Sequence, residues 1–195
     1  MSKWPAPGEV KTRLAARVGN SRAARVQASM LRETVRRHDE SGRAAWLAIS
    51  PASSRGDFAR SFPHARLVEQ GQGDLGRRLE RVCGRVLEDA EKVVVVGSDS
   101  PDLPSEYVSS AFARLSRAEV VLGPTRDGGI YLIAMTRLFP GLFQDVPWGT
   151  PNVFEALKRN AKRQRLTLSI LAPWRDVDTL TDYVCWLLRR LRRKP

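Results

Sequence analysis

In the segment "VVVVGSDSPDLP" (93–104) an apolar strand ends in a pair of acids, and this is the strongest signal for the fold in the sequence. Four consecutive valines are β-branched and typical of a buried strand. After the Gly-Ser turn come Asp99 and Asp102, with Pro101 and Pro104 beside them. Proline fixes its own φ angle and restricts the residue before it, so we expect the acids to be held in place. The stretch therefore predicts a buried strand that presents fixed carboxylates at its carboxyl end.

Strand and helix patterns alternate along the rest of the chain. Helices are predicted over 21–38, 73–90, 105–116, 150–164 and 179–193. Strands are predicted over 44–50, 92–98, 118–124, 130–135 and 166–172. Asp74 is expected to cap the second helix, and Thr150 followed by Pro151 to start the fourth. The alternation indicates an α/β fold in three layers, with a mostly parallel mixed sheet flanked by helices. In such folds ligands bind outside the carboxyl ends of the strands, which is where Asp99 is placed.

The composition is that of a globular domain, with 195 residues, 42% hydrophobic and 28% charged. We interpret residues 1–195 as a single domain. No apolar run is long enough to span a membrane, and we see no secretory leader. Cys83 and Cys185 lack metal-binding spacing, so we expect buried free thiols and a reducing cytoplasm.

The net charge of +12 comes from 33 Lys and Arg against 21 Asp and Glu. Such an excess is found in proteins that bind nucleic acids or phosphorylated substrates. The arginines are spread over many helices, however, and form no stripe with interleaved aromatic residues. This distribution argues against a nucleic-acid partner.

A second pair of acids follows the strand 166–172. Asp176 and Asp178 are two residues apart, so an extended backbone would point both to the same side. Together with Asp99 they would suit a hard cation with oxygen ligands, Mg²⁺ or Mn²⁺. Asp102, the second acid of the strand tip, would suit the same cation, and its alternative interpretation is a cap of the helix 105–116 or part of an Asx turn.

The segment "GPTRDGGIYL" (123–132) places Asp127 before Gly128 and Gly129. Consecutive glycines permit positive φ angles and a close backbone approach to a ligand. Asp-Gly is also a favoured hairpin turn. The two interpretations are compatible.

The segment "PAPGEVKTRL" (5–14) carries the opposite charge. Lys11 and Arg13 are suited to phosphate, and Gly8 lets backbone N–H groups face an anion. The spacing is not that of an ATPase phosphate loop. An ordinary basic loop near the terminus remains an alternative.

Six ordered segments resemble the radical-SAM/selenodomain-associated transferase family (transferase 1 type). They are "PAPGEVKTRL", "GDLGRRL", "VVVVGSDSPDLP", "GPTRDGGIYLI", "VPWGT" and "DVDTLTDY". That family has the GT-A, or nucleotide-diphospho-sugar transferase, fold and is akin to the phospholactate and molybdenum-cofactor guanylyltransferases. The resemblance implies a transferase that uses Mg²⁺ or Mn²⁺, a nucleotide and a small acceptor.

The resemblance also implies a role for each matching residue. The metal ligands would be Asp99, Asp176 and Asp178. The nucleotide would contact Gly8, Lys11, Arg13 and Ser98. The residues implied in catalysis are Asp99, Lys11 and Arg13. The acceptor side would be formed by Asp127, Gly128 and Gly129.

One departure from the family concerns the first strand. Relatives have an apolar strand ahead of the "PAPG" segment, whereas here only Met1 and Ser2 precede Lys3. We therefore expect a sheet without its first strand, with exposed strand edges that would favour a homo-oligomer.

Three functions stay open at this point. The first is nucleotidyl transfer from a nucleoside triphosphate to a small acceptor. The second is glycosyl transfer from a nucleotide sugar on the same fold. The third is an inactive paralogue that binds a nucleotide or a nucleic acid.

Overall fold

The computed structural model describes residues 1–38 and 43–192. The helices are α1 (Thr12–Val18), α2 (Asn20–His38), α3 (Arg55–Ser61), α4 (Leu75–Leu87), α5 (Ser105–Arg114), α6 (Val153–Arg163) and α7 (Leu180–Arg192). The strands are β1 (Ser2–Lys3), β2 (Trp46–Ser50), β3 (Arg66–Glu69), β4 (Val93–Val96), β5 (Val120–Pro124), β6 (Ile130–Met135) and β7 (Leu168–Ile170). None of the described helices has the length and apolar character needed to cross a membrane.

The strands form two sheets. The first has the order β1-β2-β3 and is parallel throughout. The second has the order β4-β6-β5-β7, in which β6 runs antiparallel to both neighbours and β7 parallel to β5. The predicted α/β architecture is confirmed, and three of the five ladders are parallel, but the strands are divided between a parallel sheet and a mixed sheet in which two of the three ladders are antiparallel.

The first strand is present, but short. Ser2 and Lys3 pair in parallel with Ile49 and Ser50 of β2. On the other side the Met1 amino group donates to the Val96 carbonyl of β4, 2.8 Å away. The expectation that the first strand is missing is therefore wrong. A first strand of two residues, Ser2 and Lys3, lies between β2 and β4.

The larger sheet separates two apolar layers, because alternate side chains of a strand point to opposite faces. On β5, Val120 and Leu122 belong to the cluster formed with α4 and α6. Val121 belongs to the cluster formed with α5. These helices on both faces give the predicted three layers. Cys83 is buried on α4 and Cys185 half-buried on α7, both as free thiols.

One of the two capping residues expected from the sequence caps its helix, and the other does not. The Asp74 carboxylate accepts from the backbone N–H of Arg77 at 2.9 Å and caps α4, as expected. Thr150 does not cap α6, which begins at Val153. Its hydroxyl instead donates to the Pro147 carbonyl at 2.8 Å and closes a turn before the helix.

Candidate active site

A cleft of about 520 Å³ opens beside the carboxyl end of β4. It is bordered by both sheets, the N-terminal loop and the segment after β7. Six of the residues singled out in the sequence line it: Lys11, Arg13, Ser98, Asp99, Asp176 and Asp178. The fold thus brings together side chains that are up to 167 positions apart in the chain.

Lys11 lies at the centre of this group. Its Nζ is 2.7 Å from Oδ1 of Asp99 and 2.8 Å from Oδ1 of Asp178. It also donates to the backbone carbonyl of Val177 at 2.7 Å. The lysine side chain is only 4% exposed, whereas the two carboxylates are 46% and 38% exposed. Burial alone would lower the pKa of Lys11, but Asp99 and Asp178 outweigh it and raise that pKa above its ordinary value.

The backbone of Lys11 has an unusual conformation. Its φ angle of 49° is left-handed, which is uncommon for a residue with a side chain. The residue precedes α1, and its carbonyl accepts from the N–H of Ala15 at 2.7 Å. This turn directs the side chain into the cleft, and such strained positions are concentrated at functional sites.

The two acid-bearing segments are joined through their backbones. The N–H of Val177 donates to the Asp99 carbonyl at 2.8 Å. Asp182 fixes the second segment, because its carboxylate accepts from the backbone N–H of Asp178 at 3.3 Å and of Thr179 at 2.9 Å. These backbone bonds hold the segments of Asp99 and Asp178 together, and both carboxylates contact the lysine.

Asp176 faces a different partner. The hydroxyl of Ser100 donates to its Oδ1 at 2.5 Å. Burial, assisted by the charges of Asp99 and Asp178, raises the pKa of Asp176 to about 7, against the opposing effects of Ser100 and Lys11. Asp176 and Asp178 thus line the same cleft but contact different partners, Ser100 and Lys11 respectively.

The donor set fits a hard cation, because carboxylate and carbonyl oxygens are the ligands that Mg²⁺ and Mn²⁺ take. In the described part of the chain, however, the acidic, His and Cys side chains form no cluster of three that could hold a metal ion. The predicted trio is thus reduced to two converging carboxylates, Asp99 and Asp178, since Asp176 is turned to Ser100. The point on which these two converge is held by the Lys11 ammonium.

The remaining residues of the predicted nucleotide loop are differently placed. Arg13 is exposed at the border of the cleft. Gly8 adopts a φ angle of 83° in the preceding turn and, among the described residues, is not part of the cleft lining. Ser98 is buried, and its hydroxyl accepts from Nε2 of Gln27 at 3.0 Å.

Asp127, Gly128 and Gly129 form the turn between the antiparallel strands β5 and β6. The hydroxyl of Thr125 donates to Asp127 at 2.5 Å, and the N–H of Thr125 donates to the Gly129 carbonyl at 3.0 Å. The hairpin interpretation is confirmed. Of the residues that the structure describes, these three are not part of the cleft lining, although the neighbouring Ile130 is.

Asp102 neither caps a helix nor lies in the cleft lining. The residue before α5 is Pro104, which provides no side-chain cap. Asp102 is 4% exposed and accepts from Nε of Arg189 on α7 at 2.7 Å. The capping alternative is wrong, because the Asp102 carboxylate pairs with the Arg189 guanidinium of the last helix.

Gln27 is a site residue that sequence reasoning missed. It lies on α2, is 4% exposed and lines the cleft beside Ser98. The available signal was an amide on the apolar face formed by Val26 and Met30, where buried polar side chains need a partner.

Comparison with known proteins finds similarity to transferases. A proposed nucleotide-diphospho-sugar transferase from Desulfovibrio desulfuricans G20 shares 31% identity and superimposes with a TM-score of 0.90, over 99% of this chain and 85% of that one. The 2-phospho-L-lactate guanylyltransferase of Methanothermobacter thermautotrophicus is 29% identical over 139 residues, which are 70% of this chain but only 60% of that enzyme.

A more distant structural neighbour comes from Mycobacterium tuberculosis H37Rv. It has 18% identity and a TM-score of 0.61, covering 96% of this chain and 93% of its own. A second structure of that protein is a complex with manganese. These relatives confirm the resemblance and the fold that the sequence predicts, and the first two are described as transferases, the predicted class. The family described as "uncharacterized protein conserved in bacteria (DUF2064)" matches residues 31–150, and this chain belongs to it.

Proposed function

We propose that this protein is a nucleotidyltransferase that moves a nucleotidyl group from a nucleoside triphosphate to a small acceptor with the help of Mg²⁺ or Mn²⁺. The observation that carries the proposal is the contact of Lys11 with both Asp99 and Asp178 in the 520 Å³ cleft. A phosphate-binding cation and two potential metal ligands are then within reach of one triphosphate.

The relatives support this choice of reaction. Guanylyl transfer is the activity named for the relative from Methanothermobacter thermautotrophicus, with which this chain shares 29% identity over 139 residues. The manganese complex of the neighbour from Mycobacterium tuberculosis supports a divalent cation.

The residues of the cleft would act by positioning and by charge. Lys11 and Arg13 would contact the phosphates, Lys11 as a point charge and Arg13 through two parallel hydrogen bonds. Asp99 and Asp178 would hold the cation, which supplies neutralisation of phosphate charge when bound. An acceptor oxygen then bonds to the α-phosphorus as the bond to pyrophosphate breaks, so one triphosphate yields one pyrophosphate. No covalent intermediate with the protein is required.

We propose the turn of Asp127, Gly128 and Gly129 for the acceptor side. Support comes from its continuity with β6, whose residues Ile130 and Tyr131 line the cleft. The turn therefore lies directly beyond residues that border the cleft.

Glycosyl transfer is the second candidate. It is favoured by the relative from Desulfovibrio desulfuricans G20, a proposed nucleotide-diphospho-sugar transferase that is 31% identical over nearly the whole chain. The two reactions differ in their products, since nucleotidyl transfer releases pyrophosphate and glycosyl transfer releases a nucleoside phosphate.

The test begins with binding. Thermal shifts are measured with the four common nucleoside triphosphates and with nucleotide sugars, each with and without Mg²⁺ or Mn²⁺. We expect a shift with at least one triphosphate that depends on the metal, and pyrophosphate release once a suitable acceptor is added. Absence of any nucleotide-induced shift would overturn the proposal, and a response to nucleotide sugars alone would favour glycosyl transfer.

A matched pair of variants locates the effect. Asp99→Asn removes a carboxylate from the cleft, whereas Asp89→Asn removes an exposed carboxylate that precedes β4 at its other end. The first should abolish the metal-dependent part of the shift, and the second should leave it unchanged.

A further inference from the structure

We infer that the ammonium group of Lys11 is a built-in cation that occupies the divalent-metal position of the nucleotide-free protein, so that a metal ion binds only when Lys11 leaves. The inference rests on the proposed function for the identity of the site and adds an order of events to it. It assigns Lys11 two alternating sets of partners, the acids in one state and the phosphates in the other.

The first support is the coordination of the nitrogen. Three oxygen atoms surround Nζ at nearly equal distances: 2.7 Å to Asp99, 2.8 Å to Asp178 and 2.7 Å to the Val177 carbonyl. Two carboxylates and a carbonyl supply oxygen ligands of the kind that Mg²⁺ takes in proteins, together with water and phosphate oxygens. The lysine nitrogen fills the point on which these oxygen atoms converge, and its side chain is 4% exposed.

The second support is charge. Two carboxylates beside one ammonium leave a single negative charge at this point. A dication in contact with the same oxygen atoms would lie within a few ångströms of Nζ, where the two positive charges repel each other. The ammonium and the metal ion therefore exclude each other from the position.

The third support is where Lys11 can go. Its nitrogen is carried on a flexible four-carbon stem, in contrast to the planar group of an arginine. Lys11 lines the same cleft as Arg13, the other residue proposed for the phosphates. A nucleotide that arrives with its metal ion would thus give the displaced ammonium a new anionic partner. Metal ion and nucleotide are then expected to bind together, each weakly without the other.

The decisive experiment measures Mn²⁺ binding without nucleotide, from the electron paramagnetic resonance signal of free Mn²⁺. Lys11→Met removes the ammonium, and the half-exposed acids can then be hydrated, so the fold is expected to persist. We expect Mn²⁺ affinity to rise by about tenfold or more, equivalent to about 1.4 kcal/mol. Arg13→Met is the matched control, because it removes one positive charge from the border of the cleft without vacating the position. It should change the affinity by less than about threefold.

A second measurement uses the unmodified protein and does not depend on the folding of a variant. Acylation of each lysine is followed by mass spectrometry, with and without saturating Mn²⁺. Lys11 should be protected at first and become several-fold more reactive when Mn²⁺ is added, while the half-exposed Lys158, which is not part of the described cleft lining, should not change. An affinity in Lys11→Met equal to that of the wild type or of Arg13→Met would overturn the inference, as would continued protection of Lys11 at saturating Mn²⁺.

These outcomes are separable from the proposed function. Metal-dependent triphosphate binding by the wild type, together with an unchanged Mn²⁺ affinity in Lys11→Met, would refute the inference alone. A gain in Mn²⁺ affinity by Lys11→Met, without triphosphate binding by the wild type, would support the inference and refute the nucleotidyl-transfer function.

Discussion

The Nε atom of Arg189 lies 2.7 Å from Oδ2 of Asp102, and this pair joins the last helix to the loop that carries Asp99. The Asp102 side chain is 5% exposed and that of Arg189 is 30% exposed. The pair therefore lies largely within the protein, where a carboxylate without a partner is costly. The pair thus fastens the last helix to the loop that positions Asp99, so we expect it to contribute to the stability of the fold.

Removal of Arg189 should destabilise the protein through this pair. In Arg189→Met the Asp102 carboxylate stays buried without its cation, and we expect the free energy of unfolding to fall by about 3 kcal/mol. Urea denaturation followed by circular dichroism measures the loss. The control is Arg190→Met on the same helix, whose exposed guanidinium lies over the Trp186 ring and should be worth no more than about 1 kcal/mol.

A double variant separates the pair from the packing of the arginine stem. With Asp102→Asn already present, the further change Arg189→Met should cost clearly less than it does alone, because no buried charge is left unpaired. Equal costs in the two backgrounds would show that the ion pair does not contribute.

Loss of Lys11 should weaken the binding of a nucleoside triphosphate. Lys11→Ala removes a charged hydrogen-bond donor from the phosphates, which is worth about 1.5–3 kcal/mol. Isothermal titration with the triphosphate and Mg²⁺ gives the affinity of both proteins. Loss of Lys11 should thus lower the affinity for the triphosphate, although it should raise the affinity for Mn²⁺ without nucleotide. An unchanged triphosphate affinity would exclude Lys11 from the phosphate site.

The strand tip could be predicted from the sequence because its signals are local. The valine run and the prolines of 93–104 indicate β4 and its fixed acids without reference to the rest of the chain. The helices α1 and α3 and the strand β3 were not predicted, since elements of seven and four residues carry too little periodicity to stand out from a loop.

The partners within the site could not be predicted, because they are separated widely in the chain. Lys11 meets Asp178 across 167 positions, and Asp102 meets Arg189 across 87. The sequence placed Lys11 with phosphates and Asp178 with a metal ion, but only the folded chain brings the two into contact. Composition and spacing carry no information on which opposite charges become neighbours.

Gly128 should tolerate no side chain. Its φ angle is 90°, and an added Cβ would approach the Pro151 carbonyl oxygen to 1.9 Å. Gly149 provides the matched control, because its φ angle is 79° but no heavy atom lies within 4 Å of the added Cβ. Gly149→Ala should cost about 1 kcal/mol from the backbone conformation alone. Gly128→Ala should cost clearly more in the same denaturation assay, and equal losses would mean that the turn can move away from Pro151.

His38 should make the stability depend on pH in a defined window. Burial, assisted by Arg37 and Arg43, lowers the pKa of His38 from 6.5 to about 4. Neither ring nitrogen has a hydrogen-bond partner among the residues that the structure describes. The folded state thus disfavours the protonated ring, whereas the unfolded chain accepts the proton near its ordinary pKa. The stability that depends on a neutral His38 is therefore fully present above pH 6.5. It is lost as the pH falls towards 4, because the unfolded chain binds the proton first.

The His38 contribution is isolated by comparing variants at two values of pH. Between pH 7 and pH 4.5 the histidine should account for a loss of about 2–3 kcal/mol in the free energy of unfolding. His38→Phe, which keeps a ring in a cavity lined by apolar side chains such as Leu31 and Phe112, should lose that much less over the same interval. His64→Gln alters an exposed histidine and should follow the wild type. Parallel pH profiles for the wild type and His38→Phe would show that His38 is protonated as readily in the folded state as in the unfolded chain.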